Sequence, residues 1–481
     1  MMAVQIVPLE ASMSATDPAL MSAEELLGHY ARQSLSPVEV LQAVTERVVR
    51  LGAPLNAFAV MTPQSLAAAG ASEARWRAGR PIGMLDGVPC TVKDLIDVAG
   101  HPTRRGSRLS DPAPVADDAP SVVGLKAEGA VVIGKTTTTE FGWKSPGDCP
   151  LHGVTRNPWN PAHTPGGSSS GAGAAAAAGF GPLHVGTDAG GSIRIPAAWC
   201  GVVGLKPSFG RVPQWPLGAF GPVAVAGPLT RTVRDAALML SAMARFDLRD
   251  PYSLPDDRRG GACVDWRDGI EDGVAELRVA VLRRPGFDAP VDREGIAAVE
   301  QAAQLLMEAG AEVEEADPGL PDTRDIFGRI WGVALARLVD GFPETHRHML
   351  DPGLLEVARS AGGLSAIEFL DGEAMRVAAA HGMARFHQKY DLVLCPTVPS
   401  TAPLADAPIA DPVQALWTQW APWTFAFNLT RQPAISVPMG FAANGLPRAV
   451  QLASALYRDD IVLRAARTLE VAQPFAVPEL D

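Results

Sequence analysis

The sequence predicts an α/β protein with a large mixed β-sheet core covered by helices on both sides. Short apolar runs bounded by glycine and proline, at Val88 to Val92, Val131 to Gly134 and Val202 to Leu205, have the length and β-branched content of buried strands. Arg278 to Leu282, a helical stretch over Arg293 to Glu308, and Ala311 to Glu314 form a strand–helix–strand unit, which requires two parallel strands in one sheet. Helix signals fill much of the remaining chain.

Taken in order, Ser22-Ala23-Glu24-Glu25 is a capping-box pattern that opens a short helix, and Ser36-Pro37-Val38-Glu39 opens a second with proline at its first position. Val38, Leu41, Val48 and Leu51 recur at near-helical spacing and predict a packing stripe. Between roughly Leu320 and Gly382 the chain is again helical, with Phe327, Ile330, Trp331, Leu335 and Leu338 on one stripe that core packing accounts for. Because such an insertion can roof a site, Trp331 is carried as a candidate for substrate contact. Tyr390 to Cys395 and Ala434 to Val437 supply further strands. No internal repeat is present, and the 481 residues are read as one domain, although about 150 residues per domain would accommodate three.

Composition narrows the function classes. Hydrophobic residues make up 47% of the chain and charged ones 20%, enough to bury a sizeable core and unlike a disordered chain. A net charge of -12 without a basic stripe argues against a nucleic-acid partner, which needs clustered Lys and Arg. The pairs Arg104-Arg105 and Arg258-Arg259 read as solvated loop charge. Cys90, Cys149, Cys200, Cys263 and Cys395 are odd in number, widely spaced and free of any C-x-x-C pair, so free thiols are expected. His346-Arg347-His348 lacks the partners and spacing of a zinc site, and neither a metal nor a cofactor is expected. Met1 to Leu20 has no basic n-region or continuous apolar core, and no segment sustains the roughly 18 apolar residues of a membrane span. A cytoplasmic protein without a membrane partner is the expectation.

The chemistry lies in two serine-bearing glycine turns, Gly166-Gly167-Ser168-Ser169-Ser170-Gly171 and Gly186-Thr187-Asp188-Ala189-Gly190-Gly191-Ser192, with Lys93 upstream. Glycines beside a serine let the backbone turn sharply, expose the hydroxyl and aim consecutive N–H groups at one point, where an oxyanion can be held. The first turn also has the composition of a flexible linker, but Asn157-Pro158-Trp159-Asn160-Pro161 and the apolar run Pro182 to Val185 bracket it as a buried turn. A histidine base is not evident, since nothing in the sequence brings His163 or His184 to a serine. The G-x-S-x-G match around Ser169 follows Pro161 to Pro165 rather than the strand that a nucleophile elbow requires. Lys93 is flanked by Val88, Val92, Leu95 and Ile96 on a buried strand end, where desolvation lowers an amine's pKa and suits it to act as a base. Together these features describe a hydrolase without histidine.

These residues resemble the amidase signature family of serine hydrolases. The resemblance rests on Gly166 to Gly171, on Gly186 through Ser192-Ile193-Arg194-Ile195-Pro196, on Gly201-Val202-Val203-Gly204-Leu205-Lys206-Pro207 and on Val92-Lys93-Asp94. Weaker similarity runs from the helices near Ser22 to Tyr390 to Val393 and to Gly445-Leu446-Pro447 with Gln451. It implies the family's α/β fold across residues 1–481: a helical layer at about 20–80, a catalytic core at about 81–215 and a helical substrate-side insertion at about 320–385. It also implies a Ser-cisSer-Lys triad, with Ser192 the nucleophile, Ser168 the middle serine after a cis bond from Gly167, and Lys93 the terminal base. The N–H groups of Ala189, Gly190, Gly191 and Ser192 would form the oxyanion hole. Asp188 and Arg194 flank the nucleophile and would either pair to brace its loop or stand solvated. Ser169 and Ser170 are expected to bond within the turn or to start the helix that follows.

The implied activity is cleavage of carbon–nitrogen bonds in small amides, with anilides and carbamates as further substrates, through an acyl-enzyme on Ser192. The alternatives are the catalytic subunit of an aminoacyl-tRNA amidotransferase, which releases ammonia from glutamine, and a non-catalytic binding protein of the same fold. The loop Trp143-Lys144-Ser145-Pro146 does not resemble the small, polar stretch of the amidotransferase and favours the free amidase. Arg431 stands where the family commonly has glycine, and Arg448-Ala449 replaces a small-residue pattern. Arg431 would either line the pocket and alter substrate preference or reach solvent. A homodimer is expected from the general prevalence of two-fold assemblies.

Overall fold

A computed structural model describes residues 17–255, 264–406, 418, 421–478 and 480. Arg258-Arg259, Cys263 and most of the amino-terminal stretch lie outside the described residues. Helices α1 (Ala23–Ala31) and α2 (Pro37–Leu55) begin at the two expected capping boxes, in which Ser22 and Ser36 accept from the N–H groups of Glu25 and Glu39. On α2 the residues Val40, Leu41, Val44 and Leu51 are buried, while Val38 and Val48 sit at the margin of the core. The first eighty residues also hold a strand, β1 (Phe58–Met61), before α3 (Ser65–Arg77). Its four residues are too few to register as a periodic pattern.

The next segment carries β2 (Pro89–Lys93), α4 (Pro120–Ala127), β3 (Val131–Thr136), the small hairpin of β4 (Asp148–Cys149) and β5 (Gly153–Val154), and α5 (Ser170–Ala178). It continues through β6 (Leu183–Asp188), α6 (Arg194–Cys200), β7 (Val203–Lys206), β8 (Val225–Thr230) and α7 (Val233–Met243). The strand–helix–strand unit follows as β9 (Arg278–Val281), α8 (Arg293–Glu308) and β10 (Glu312–Glu315), with its strands parallel. The helical segment comprises α9 (Thr323–Asp340), α10 (Pro352–Ala361) and α11 (Ala366–Phe386). The chain ends with β11 (Leu392–Pro396), α12 (Phe425–Leu429), β12 (Ala434–Phe441), β13 (Pro447–Ser454) and α13 (Asp459–Ala472).

Among the described residues, eleven strands form one mixed sheet in the order β1-β3-β2-β6-β8-β7-β12-β13-β11-β9-β10. Alternate residues of β11 show how it is covered. Leu392 and Leu394 belong to a cluster shared with α1, α2, α4, α7, α8 and α13, whereas Val393 and Cys395 join one shared with α9, α10 and α12. Because successive side chains point to opposite faces, helices cover both. Strands β6, β8 and β13 carry His184, Gly186, Gly227, Pro228, Arg448 and Gln451 among their apolar residues, which breaks the continuous run that identifies a buried strand from sequence.

Helices α4 and α7 approach each other backbone to backbone at Gly124 and Ala242. A Cβ on Gly124 would stand 2.3 Å from the Ala242 carbonyl oxygen. Gly124→Leu is therefore expected to cost about 1–3 kcal/mol by overpacking, read as a lower urea midpoint at unchanged slope.

Candidate active site

Strands β3, β2 and β6 are parallel neighbours, so their carboxyl ends converge at one edge of the sheet, the usual place for a site in an α/β protein. Lys93 ends β2, and Thr187 and Asp188 end β6. The Lys93 side chain is fully buried, with Nζ 2.8 Å from Ser168 Oγ and 2.8 Å from Thr187 Oγ1. Burial holds this amine well below the ordinary lysine range against the opposing pull of Asp188. The adjacent carboxylate, Asp94, is engaged elsewhere, 2.8 Å from Lys135. Desolvation at this position favours the neutral amine over the ammonium, and its two hydrogen-bond partners are both hydroxyls.

The two glycine turns lie against each other. The Gly167–Ser168 peptide bond is cis. A Cβ on Gly167 would stand 2.8 Å from the Ser145 carbonyl oxygen, so the turn has no room for a side chain there. The Ser169 N–H donates to the Ser192 carbonyl at 3.1 Å, and Ser169 Oγ both donates to the Thr187 carbonyl and accepts from the Thr187 N–H. Ser169 thus joins the turns, while α5 begins at Ser170 without a side-chain cap. Ser168 and Ser192 line the same cavity, Ser192 with only 7% of its surface exposed.

Asp188 and Arg194 form a buried ion pair, with Nη2 to Oδ1 at 2.9 Å and Nε to Oδ2 at 3.0 Å. Burial alone would raise the Asp188 pKa, but the Arg194 guanidinium and the Asn428 amide hold the carboxyl far below its ordinary range. The carboxylate also accepts the N–H groups of Gly191 at 2.8 Å and Ile193 at 3.1 Å. Of the four N–H groups expected to face an oxyanion, that of Gly191 thus has a partner in Asp188. Arg194 continues outward to the Thr424 carbonyl, Gln451 Oε1 and Asn428 Oδ1, and Thr424 Oγ1 donates to the Gly190 carbonyl. Thr187, Thr424, Asn428 and Gln451 were not singled out by sequence as parts of the site. Thr187 and Asp188 share a motif, but the others reach it only through the fold.

A cavity of about 710 Å³ opens beside the serines. Leu95, Ile96, Phe141, Trp215, Phe220 and Phe342 give it an apolar wall, and Asp97, Arg105, Asp111 and Arg337 add charge. Arg105, expected to be a solvated loop charge, is half-buried in this wall. Trp331 stacks behind Phe220 with ring centroids 3.6 Å apart and supports the wall instead of facing the cavity. Arg431 also stands behind the wall, its guanidinium 4.3 Å from the centre of the Phe209 ring. Neither histidine contacts a serine. His163 Nδ1 meets the Ala402 carbonyl, while His184 bonds Thr91 and Gly181 and is pushed by burial to a pKa of about 3.

Two substitutions test the bracing. Asp188→Asn leaves a buried guanidinium without its counter-charge and is expected to cost about 3–5 kcal/mol in chemical denaturation. Gly191 has φ +125°, and a Cβ there would stand 2.3 Å from Thr424 Oγ1. Gly191→Ala should therefore displace the nucleophile loop and lower kcat by about a hundredfold while binding of a substrate analogue changes less.

The comparisons with known proteins agree with this geometry. A family model described as "Amidase" matches residues 39–463. An acylamidase of Rhodococcus erythropolis is 37% identical over 465 residues, covering 95% of this chain and 96% of the relative. A glutamyl-tRNA(Gln) amidotransferase subunit of Methylococcus capsulatus is 34% identical over 479 residues, covering 93% and 96%. The crystal structure of a bacterial aryl acylamidase superposes with a TM-score of 0.86 at 29% identity, covering 95% of this chain and 96% of that one. Similarity of this extent, running through the lysine, both glycine turns and the sheet that holds them, makes the chain an amide-hydrolysing member of the amidase signature family.

Proposed function

We propose that the protein is a free-standing serine amidase in which Ser192 is the nucleophile, Ser168 the proton relay and Lys93 the base. The observation that carries this reading is the fully buried Lys93 amine 2.8 Å from Ser168 Oγ, with Ser192 on the same cavity. Neutral Lys93 takes the Ser168 proton as Ser168 takes that of Ser192, whose oxygen adds to the amide carbonyl. The N–H groups of Ala189, Gly190 and Ser192 receive the oxyanion, each worth roughly 3–4 kcal/mol by the measure of other hydrolases. As the tetrahedral centre collapses, the C–N bond breaks and Ser168 protonates the departing nitrogen while recovering its proton from Lys93. Water, deprotonated through the same chain, then releases the acid from Ser192.

The apolar wall supports amides with an aryl or branched aliphatic acyl or amine part, in keeping with relatives named acylamidase and aryl acylamidase. The amidotransferase relatives support a second reading, ammonia release from glutamine. The aromatic side chains of the wall, Phe141, Trp215, Phe220 and Phe342, favour the first reading. Four buried free thiols, Cys90, Cys149, Cys200 and Cys395, support a reducing compartment such as the cytoplasm. Among the described residues no helix is long and apolar enough to cross a membrane.

Three measurements test this reading. Ser192→Ala, Ser168→Ala and Lys93→Ala should each lower kcat on an aryl amide by at least about four orders of magnitude, because a relay fails as a unit. Release of ammonia from glutamine, with aryl and aliphatic amides untouched, would reverse the choice between the two readings. Since Lys93 works only when neutral, kcat/KM should fall as pH is lowered through its pKa. Burial moves that limb well below the ordinary lysine value of about 10.4, and a limb found there instead would remove Lys93 from the role of base.

A further inference from the structure

Residues 213–220 supply an unbroken stretch of the cavity wall, and Ala224 and Ala226 resume it. Trp215 and Leu217 on this stretch are exposed, so the strap is held from its ends. At the near end Gln214 accounts for two contacts, its N–H donating to Asp250 and its amide to the Ala224 carbonyl. At the far end lies a 3-10 turn, Gly221–Val223, directly after Phe220. Two side chains from one short segment grip consecutive carbonyls of that turn. Asn428 Nδ2 donates to Val223 at 3.2 Å, and Arg431 Nε donates to Pro222 at 3.1 Å.

Arg431 holds its position against its own backbone preference. Its φ is +64°, a left-handed conformation in which a Cβ crowds the following carbonyl and which glycine adopts freely. Its carbonyl accepts from the Phe209 N–H at 3.2 Å, and its guanidinium lies over the Phe209 ring, which in turn meets Tyr252 edge-on. The long side chain therefore bridges the segment that carries Asn428, an amide bonded to the Asp188 carboxylate, to the strap that carries Phe220. A glycine at this position would keep the turn and lose the bridge.

We infer that Arg431 is a specificity-determining positioning residue: by holding the Pro222 carbonyl it fixes the strap at residues 213–224 and so sets the width of the apolar wall. The inference rests on the amidase reading for its kinetic consequence but not for its structural one. Bulky acyl groups reach the strap and depend on its position, whereas an amide of acetamide size occupies only the space beside Ser192.

The test compares wild type with Arg431→Gly, which relaxes the backbone and removes the bridge, and with Arg431→Met, which keeps the stem but loses the donor. For a bulky aryl amide both variants should raise KM by about tenfold, the equivalent of one lost hydrogen bond, with kcat changed much less. The shift for acetamide should be smaller. Limited proteolysis should cut both variants within 213–219 faster than wild type, without a matching fall in melting temperature. An unchanged ratio of kcat/KM between the bulky and the small amide, in either variant, would overturn the inference. If wild type hydrolysed no amide, the amidase reading would fail on its own, and the proteolysis comparison would still decide whether Arg431 holds the strap.

Discussion

The ion pair between Asp188 and Arg194 organises the site more than any other interaction in the molecule. Both side chains are wholly buried, a costly placement for two charges unless their remaining hydrogen-bonding capacity is filled. Here it is filled by the parts that must be aligned: N–H groups of the nucleophile loop on the carboxylate, and carbonyl or amide oxygens of Thr424, Asn428 and Gln451 on the guanidinium. The pair thereby ties the end of β6 to α12 and β13, elements more than two hundred residues away in sequence. A hydrophobic pair of the same volume could fill this space, but it could not hold a backbone loop at fixed hydrogen-bond distance.

The carboxylate of this pair also acts on Lys93. An unpaired carboxylate beside a buried lysine would favour the ammonium and abolish its use as a base. Asp188 is the charged group that pulls the Lys93 pKa upward, and desolvation outweighs it. Asp94, next in sequence, is drawn off by Lys135. The contacts left to Lys93 are two hydroxyls, Ser168 and Thr187, which suit a neutral amine with one lone pair and two N–H donors.

The cavity is assembled from segments that do not otherwise share a layer. Its floor comes from the ends of the parallel strands, one side from residues 213–224 and another from Arg337, Leu338, Gly341 and Phe342 of the helical segment. The wall is backed by aromatic stacking, Trp331 on Phe220 and Phe327 on Trp331, which stiffens its apolar part. This arrangement separates the reacting atoms, which are held by short motifs near the sheet, from the shape of the pocket, which is set by distant helices and loops.

That separation also divides what could be read from the sequence. The α/β class, most of the strands, the capped helices and the two glycine turns were legible because each depends on residues close together in the chain: a run, a cap, a glycine turn. Strands β6, β8 and β13 were not, because sheet neighbours rather than their own patterns make them strands. Thr424, Asn428 and Gln451 at the ion pair, the commitment of Gly191 to Asp188, and Arg105 in the cavity wall were equally invisible. The sequence alone determined the two glycine turns and the buried setting of Lys93, since glycine and serine at fixed spacing define a local backbone shape. Only the tertiary structure decided which N–H groups remain for an oxyanion, what fills the buried charges and where Arg431 points, because those depend on partners that folding brings from across the chain.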